Sequence, residues 1–190
     1  MPDSAEASAA VAIAYPEDWI SQAVTRDGHP YVIRPLRAED RAHELAFIAS
    51  LSEDTRFLRM MHPLKVLPPH LLDQLMDVDY DRRMAFVATI EEQDNERFIA
   101  VARYGAVAGS PDAEFGITTA DEWQNQGVAR LLLTRLFDYA RYRGLERIVG
   151  VILPENSRMI RLARSLGFKA VHDPDERVIR VTLPLQTAQT

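Results

Sequence analysis

From residue 128 to residue 143, the polar side chains Arg130, Thr134, Asp138 and Arg141 recur every three or four positions, while Leu132, Leu136 and Ala140 keep to another face. That period belongs to an amphipathic helix, which has to lay its apolar stripe on a neighbouring layer. Arg141 and Arg143 stand in its last turn, where cations complement the helix dipole, and Gly144 suits the left-handed position that ends a helix. The run before it, 113–120, reads as a strand. The run after it, 147–153, is largely apolar, as a strand near a sheet centre must be. A strand, this helix and a second strand together require a sheet with the helix on its face.

The remaining elements fit one such sheet. Residues 31–36 read as a first strand with Pro35 near its end, and 39–50 as a helix with Leu45, Ile48 and Ala49 on one side. Ser52 is an N-cap for a helix through Met61, and Pro68-Pro69 opens another in which Leu71, Leu72, Leu75 and Met76 are expected to be buried. Residues 84–90, 97–107 and 113–120 form a meander, with turns at 93–96 and 109–112. Asn156 opens a last helix that Gly167 stops, and 168–172 with 177–183 close as a hairpin. The expected fold is α/β of the α+β type, a single domain over 31–185. Residues 1–30 and 186–190 are expected to be tails.

Composition narrows the function. The chain has no cysteine, which excludes a disulfide framework, a thiolate zinc site and a cysteine nucleophile together. Its formal charge of -6 disfavours nucleic acid as a partner and suits a cationic substrate. His43, His62, His70 and His172 show no metal-ligand spacing, so no metal is expected. No run of apolar residues is long enough to span a membrane, and the Ala- and Ser-rich start carries Asp3 and Glu6 where a secretory signal has basic residues. A cytoplasmic protein follows, as a monomer or homodimer.

Chemistry concentrates where the 113–120 strand turns into the amphipathic helix. Such a junction offers unpaired backbone N–H groups and the positive end of a helix dipole, both of which favour a phosphate. Gly127 lets an anion approach the backbone, Ala129 keeps a second position nearly bare, and Arg130 can add a charge-assisted bond. Trp123 either walls this turn or packs in the core. Arg158, Arg161 and Arg164 either solvate a helix or reach a phosphate.

Gln124-x-x-Gly127-x-Ala129 resembles the pyrophosphate-binding signature of the GNAT superfamily of N-acetyltransferases, and 156–168, an Asn opening a helix that ends in Gly-Phe, resembles its second marker. The resemblance implies a mixed, mostly antiparallel central sheet of about six to seven strands flanked by helices, and acetyl-CoA as co-substrate. More narrowly, 33–40, 51–53, 56–59, 79–85 and 113–115 resemble the acetyltransferase domain of Pat-type protein lysine acetyltransferases, which modify a lysine of acyl-CoA synthetases. Members of that group often carry a synthetase-like or cyclic-nucleotide-binding domain, and neither is expected within these 190 residues.

An amine has to lose a proton before it attacks a thioester. The resemblance gives that task to Glu114, in Ala113-Glu114-Phe115. Its apolar neighbours Phe115 and Ile117 suggest partial burial, which would raise its pKa. A solvent-facing strand carboxylate is the plainer reading of the alternation. The pyrophosphate falls to Gln124, Gln126, Gly127, Val128, Ala129 and Arg130. The pantetheine arm falls to the backbone of Ile117, Thr118 and Thr119 and to Asn156, which can equally cap its helix. Ala163 stands where many relatives have a Tyr as general acid, and Tyr139 and Tyr142 are expected to pack on the preceding helix. The acceptor is expected to be a protein lysine. A small amine is the alternative acceptor, and a non-catalytic acetyl-CoA-binding module the alternative function.

Overall fold

The apolar and alternating runs become eight strands of one sheet in the computed structural model, which describes residues 13–185. In chain order these are β1 (Ser21–Val24), β2 (Pro30–Pro35), α1 (Arg41–Ser50), α2 (Glu53–Met60), α3 (Pro69–Met76), β3 (Arg83–Glu92), β4 (Asn95–Ala106), β5 (Asp112–Thr119), α4 (Val128–Tyr142), β6 (Arg147–Ile152), α5 (Ser157–Ser165), β7 (Lys169–Asp173) and β8 (Val178–Pro184). The strand order is β1-β2-β3-β4-β5-β6-β8-β7, and only β5 and β6 run parallel. The mostly antiparallel α/β class holds, and the sheet is larger than expected.

The additional strand is β1, inside the segment expected to be a tail. It pairs with β2 from Ser21↔Ile33 to Val24↔Pro30. The chain before it is anchored by Trp19, whose ring meets Tyr139 edge-on at 4.8 Å and Phe86 at 6.2 Å. β1 is a short edge strand with Val24 facing water, so it carries little hydrophobic signal. The parts of the two expected tails over 1–12 and 186–190 lie outside the described residues.

The sheet separates two apolar layers, as period-two alternation demands. Along β3, Phe86 and Ala88 face α4 and meet Leu132, Leu133 and Leu136, whereas Val87 turns to the opposite layer with Phe47, Ile48 and Leu72 of α1 and α3. Leu132, Leu133 and Leu136 are fully buried, and each contributes about 1.5–3 kcal/mol. That is ample to fix α4, and therefore the turn before it. On the other layer the buried Arg34 guanidinium holds Asp40 at 2.6 and 2.8 Å and Glu96 at 2.9 and 2.6 Å, tying β2 and β4 to the start of α1.

Candidate active site

The single parallel pair makes the site. β5 pairs with β4 from Ala113↔Ala106 to Thr119↔Ala100, but it meets β6 only at Asp112, Ala113 and Glu114. Beyond Glu114↔Val149 the two strands separate, leaving one backbone edge of 115–119 facing a gap. The Phe115 ring fills the vertex. It packs on Phe137 and Phe168 at 5.7 and 5.2 Å, and it covers Gly150, where a Cβ would stand 2.7 Å from the ring.

A cleft of about 1130 Å³ follows this opening from Glu114 to the start of α4. Glu114, Ile117, Thr118, Thr119, Gln124, Gly127, Ala129, Arg130 and Asn156 all line it. Gln126 and Val128 do not. The Val128 side chain is buried in the core under α4, and the Gln126 carbonyl accepts a hydrogen bond from the Arg26 N–H at 3.1 Å. The Val128 side chain is therefore out of a ligand's reach, and the Gln126 carbonyl is already engaged.

The turn itself has the geometry of an anion site. Asn125 and Gly127 have φ of 64° and 89°, in the left-handed region that glycine adopts without strain. The first bond of α4 runs from Leu131 N–H to Gly127 O at 3.2 Å. Among the described residues, no backbone carbonyl accepts from the N–H groups of Val128, Ala129 or Arg130. Arg130 is exposed and bonds Ser165 of α5, at 2.5 Å to its hydroxyl. Asn156 caps α5 by accepting from Met159 N–H at 3.1 Å, so the capping reading holds. Arg158 and Arg161 line the cleft, and Arg164 does not. Trp123 does both things expected of it, lining the cleft while packing against the two apolar layers.

Glu114 is exposed, contrary to the partial burial expected of it. Phe115 and Ile117 point to the α4 layer, while Glu114 and Gly116 point to the layer of α1–α3. There a second cavity of about 460 Å³ begins, lined by Asp77, Arg83, Arg103, Tyr104 and Glu114 among others. Glu114 therefore stands between two spaces, and Phe115, Gly116 and Arg59 also border both. Ala163 is fully buried, Tyr139 is buried with its hydroxyl given to Tyr80 O at 2.6 Å, and Tyr142 is exposed.

Two features of the cleft were not visible in the sequence. Arg26 comes from the β1–β2 turn. Its guanidinium donates to Asn125 O at 3.2 Å, and its side chain lies 3.9 Å from where a Cβ on Gly127 would stand. The second is the clamp that holds α2 on the signature turn. Asp121 accepts from the Ser52 N–H at 2.9 Å, the Ser52 hydroxyl at 2.8 Å and the Thr55 hydroxyl at 2.6 Å. Of this clamp the sequence shows only the Ser52 N-cap, whose hydroxyl accepts from Thr55 N–H at 3.2 Å.

Desolvation pushes the Asp121 carboxyl up, but the hydrogen bonds from Thr55 and Ser52 outweigh it and hold the carboxyl below its ordinary 3.8. A depressed pKa stabilises the fold above the ordinary value, and the contribution is lost as pH falls through the lowered one. Acid titration followed by tryptophan emission, which reports Trp123 beside the clamp, should show a transition below pH 4 that Asp121→Asn removes. An identical acid limb in both proteins would mean the clamp is not what the titration reads.

Comparison with known proteins agrees with this geometry. The acetyltransferase (GNAT) domain family matches residues 31–169. The chain is 38% identical over 173 residues to acetyltransferase PA5475 of Pseudomonas aeruginosa, covering 91% of this chain and 92% of that one. It is 28% identical over 146 residues to acetyltransferase Pat of Mycolicibacterium smegmatis, covering 75% of this chain but only 42% of that longer one. The crystal structure of the GNAT domain of S. lividans PAT superposes with a TM-score of 0.82 at 27% identity, covering 90% of this chain and 99% of that one. A sheet opened at its one parallel pair, an unpaired helix start beside the opening and a family match across most of the chain lead to one conclusion: this protein belongs to the GNAT acetyltransferase family.

Proposed function

We propose that the chain transfers the acetyl group of acetyl-CoA to the side-chain amine of a protein lysine, in the cytoplasm, with an acyl-CoA synthetase as the target suggested by the Pat-type resemblance. The observation that carries the transfer is the gap between β5 and β6, with Glu114 at its closed end and the α4 N-terminus at its open end. Pantetheine amides pair with the free backbone edge at Ile117, Thr118 and Thr119, and Asn156 stands on the opposite wall. The pyrophosphate accepts from the N–H groups of Val128, Ala129 and Arg130, with Gln124 and Gly127 shaping the turn. Arg26 adds a cation from the β1–β2 turn.

The chemistry is direct. The amine nitrogen attacks the thioester carbonyl carbon, the C–N bond forms and the C–S bond breaks. Glu114 accepts the proton that the ammonium must lose, directly or through one water. CoA leaves as a thiolate and takes a proton from solvent. A thiol is a good enough leaving group that Ala163 in place of a Tyr does not stop the reaction.

The test is CoA release with acetyl-CoA and either an acyl-CoA synthetase or a panel of small amines. Acetylation of the synthetase lysine supports the reading, turnover with free amines alone replaces the acceptor, and binding without turnover on any acceptor leaves a non-catalytic module. Arg26→Ala should weaken acetyl-CoA about tenfold, as an exposed charge-assisted contact does, with a loss that shrinks at high salt. Acetyl-pantetheine, which has no phosphate for Arg26, should be unaffected. An equal loss for both ligands would mean that Arg26 acts on the fold instead.

A further inference from the structure

Arg59, on α2, carries a charge that neither the fold nor the proposed reaction has used so far. Its guanidinium lies against β5 at Gly116, where a Cβ would stand 2.6 Å from Nη2 and 2.8 Å from Cζ. Only glycine at 116 leaves room for it. The guanidinium borders both the donor cleft and the second cavity. Among the described residues, none accepts a hydrogen bond from it or forms an ion pair with it.

The charged groups facing it are Arg103, Glu44 and Glu114. Arg103 lies on β4 directly across from Gly116, and it holds Glu44 Oε1 at 2.5 Å. Those two cancel. Glu114 is two residues along β5 from Gly116, on the same face, and on the proposed reading it receives the substrate ammonium. With Glu114 so occupied, one positive charge is left uncompensated, on Arg59. Burial and the neighbouring Arg103 push the guanidinium down to about 10, so it is still charged at neutral pH. An unpaired, partly desolvated guanidinium offers a fork of donors matched to a carboxylate.

We propose that Arg59 is a carboxylate-binding residue at the junction of the two cavities, taking an acidic group beside the reacting centre. The carboxylate comes either from the acyl chain of the donor or from the acceptor. This rests on reading the cleft as the donor site. Succinyl-CoA and butyryl-CoA are the probes for the first source. Lysine peptides with a glutamate or a glutamine beside the lysine are the probes for the second.

Calorimetry measures the two acyl-CoA affinities without needing turnover, so it stands even if no acceptor is acetylated. Initial rates with acetyl-CoA measure kcat/KM for the two peptides. In one arm the wild-type protein should favour the acidic member, and Arg59→Gln should lower that ratio by about 10- to 100-fold, as loss of a charged hydrogen bond does. Arg59→Lys should restore part of the ratio, because it returns the charge without the fork. A preference among the acyl-CoAs assigns the carboxylate to the donor, and one among the peptides assigns it to the acceptor. Gly116→Ala, which displaces the guanidinium while keeping its charge, should lower the same ratio. Ratios near one in the wild type, or ratios unchanged in Arg59→Gln, overturn the proposal. If no acyl group is transferred but succinyl-CoA still binds better through Arg59, the proposed reaction fails and the carboxylate site stands.

Discussion

Replacing Glu114 by glutamine should lower kcat by about 100- to 10,000-fold while acetyl-CoA binds as before, the range general-base catalysis supplies. The two side chains have the same shape, and the Glu114 carboxylate makes no hydrogen bond or ion pair among the described residues, so the fold has little to lose. It is exposed at the closed end of the strand opening and borders the second cavity, which on the proposed reading is the side the amine comes from. Glutamine cannot take a proton, so in the variant only amine already deprotonated in solution reacts. A lysine side chain has an ordinary pKa of about 10.4, so the rate of Glu114→Gln should climb about tenfold per pH unit toward that value. Wild-type activity should climb less steeply. A variant with unchanged kcat and the same pH profile as the wild type would remove Glu114 from the mechanism.

What the sequence made legible was local, and what it hid was assembled from a distance. The turn proposed for the pyrophosphate is built from consecutive residues, Gln124 to Arg130, and the free donors it offers are backbone N–H groups. The α4 period was legible because three leucines on one side leave few other packings. Val128 lies four residues before Leu132, so the same period sends its side chain to the core and leaves only its N–H for the turn. Arg26 and Arg59 come from elements far along the chain, and nothing near them in sequence announces the β5 backbone or the Gly127 turn. β1 escaped because a four-residue edge strand with one face in water carries almost no pattern. The exposure of Glu114 depends on a side the alternation leaves open. Phe115 is held inward by its aromatic partners, and its neighbour Glu114 is left accessible where two cavities meet.

Placing an aspartate at Gly127 should weaken acetyl-CoA by at least about 100-fold and leave acetyl-pantetheine much less affected. Three causes act together there, and each has its own control. The first is backbone strain, since φ at 127 is 89° and an L-residue held there costs about 1–2 kcal/mol. Gly127→Ala carries that strain alone and should cost stability more than affinity, because its Cβ meets only Arg26, at 3.9 Å. The second is repulsion between the new carboxylate and a pyrophosphate on the N–H groups of Val128 to Arg130, worth several kcal/mol at contact in a partly desolvated turn. The third is capture of Arg26, whose Nε stands 3.9 Å from the new Cβ, so the aspartate pairs with the cation that the phosphate would otherwise meet. The last two causes act only on a ligand that has phosphates, which is why the pair of ligands separates them from the first. Adding Arg26→Ala to Gly127→Asp should then cost little more, a non-additivity expected of two residues acting on one group. If Gly127→Asp binds acetyl-CoA as the wild type does, the pyrophosphate lies elsewhere, and the free N–H groups at the start of α4 have no ligand.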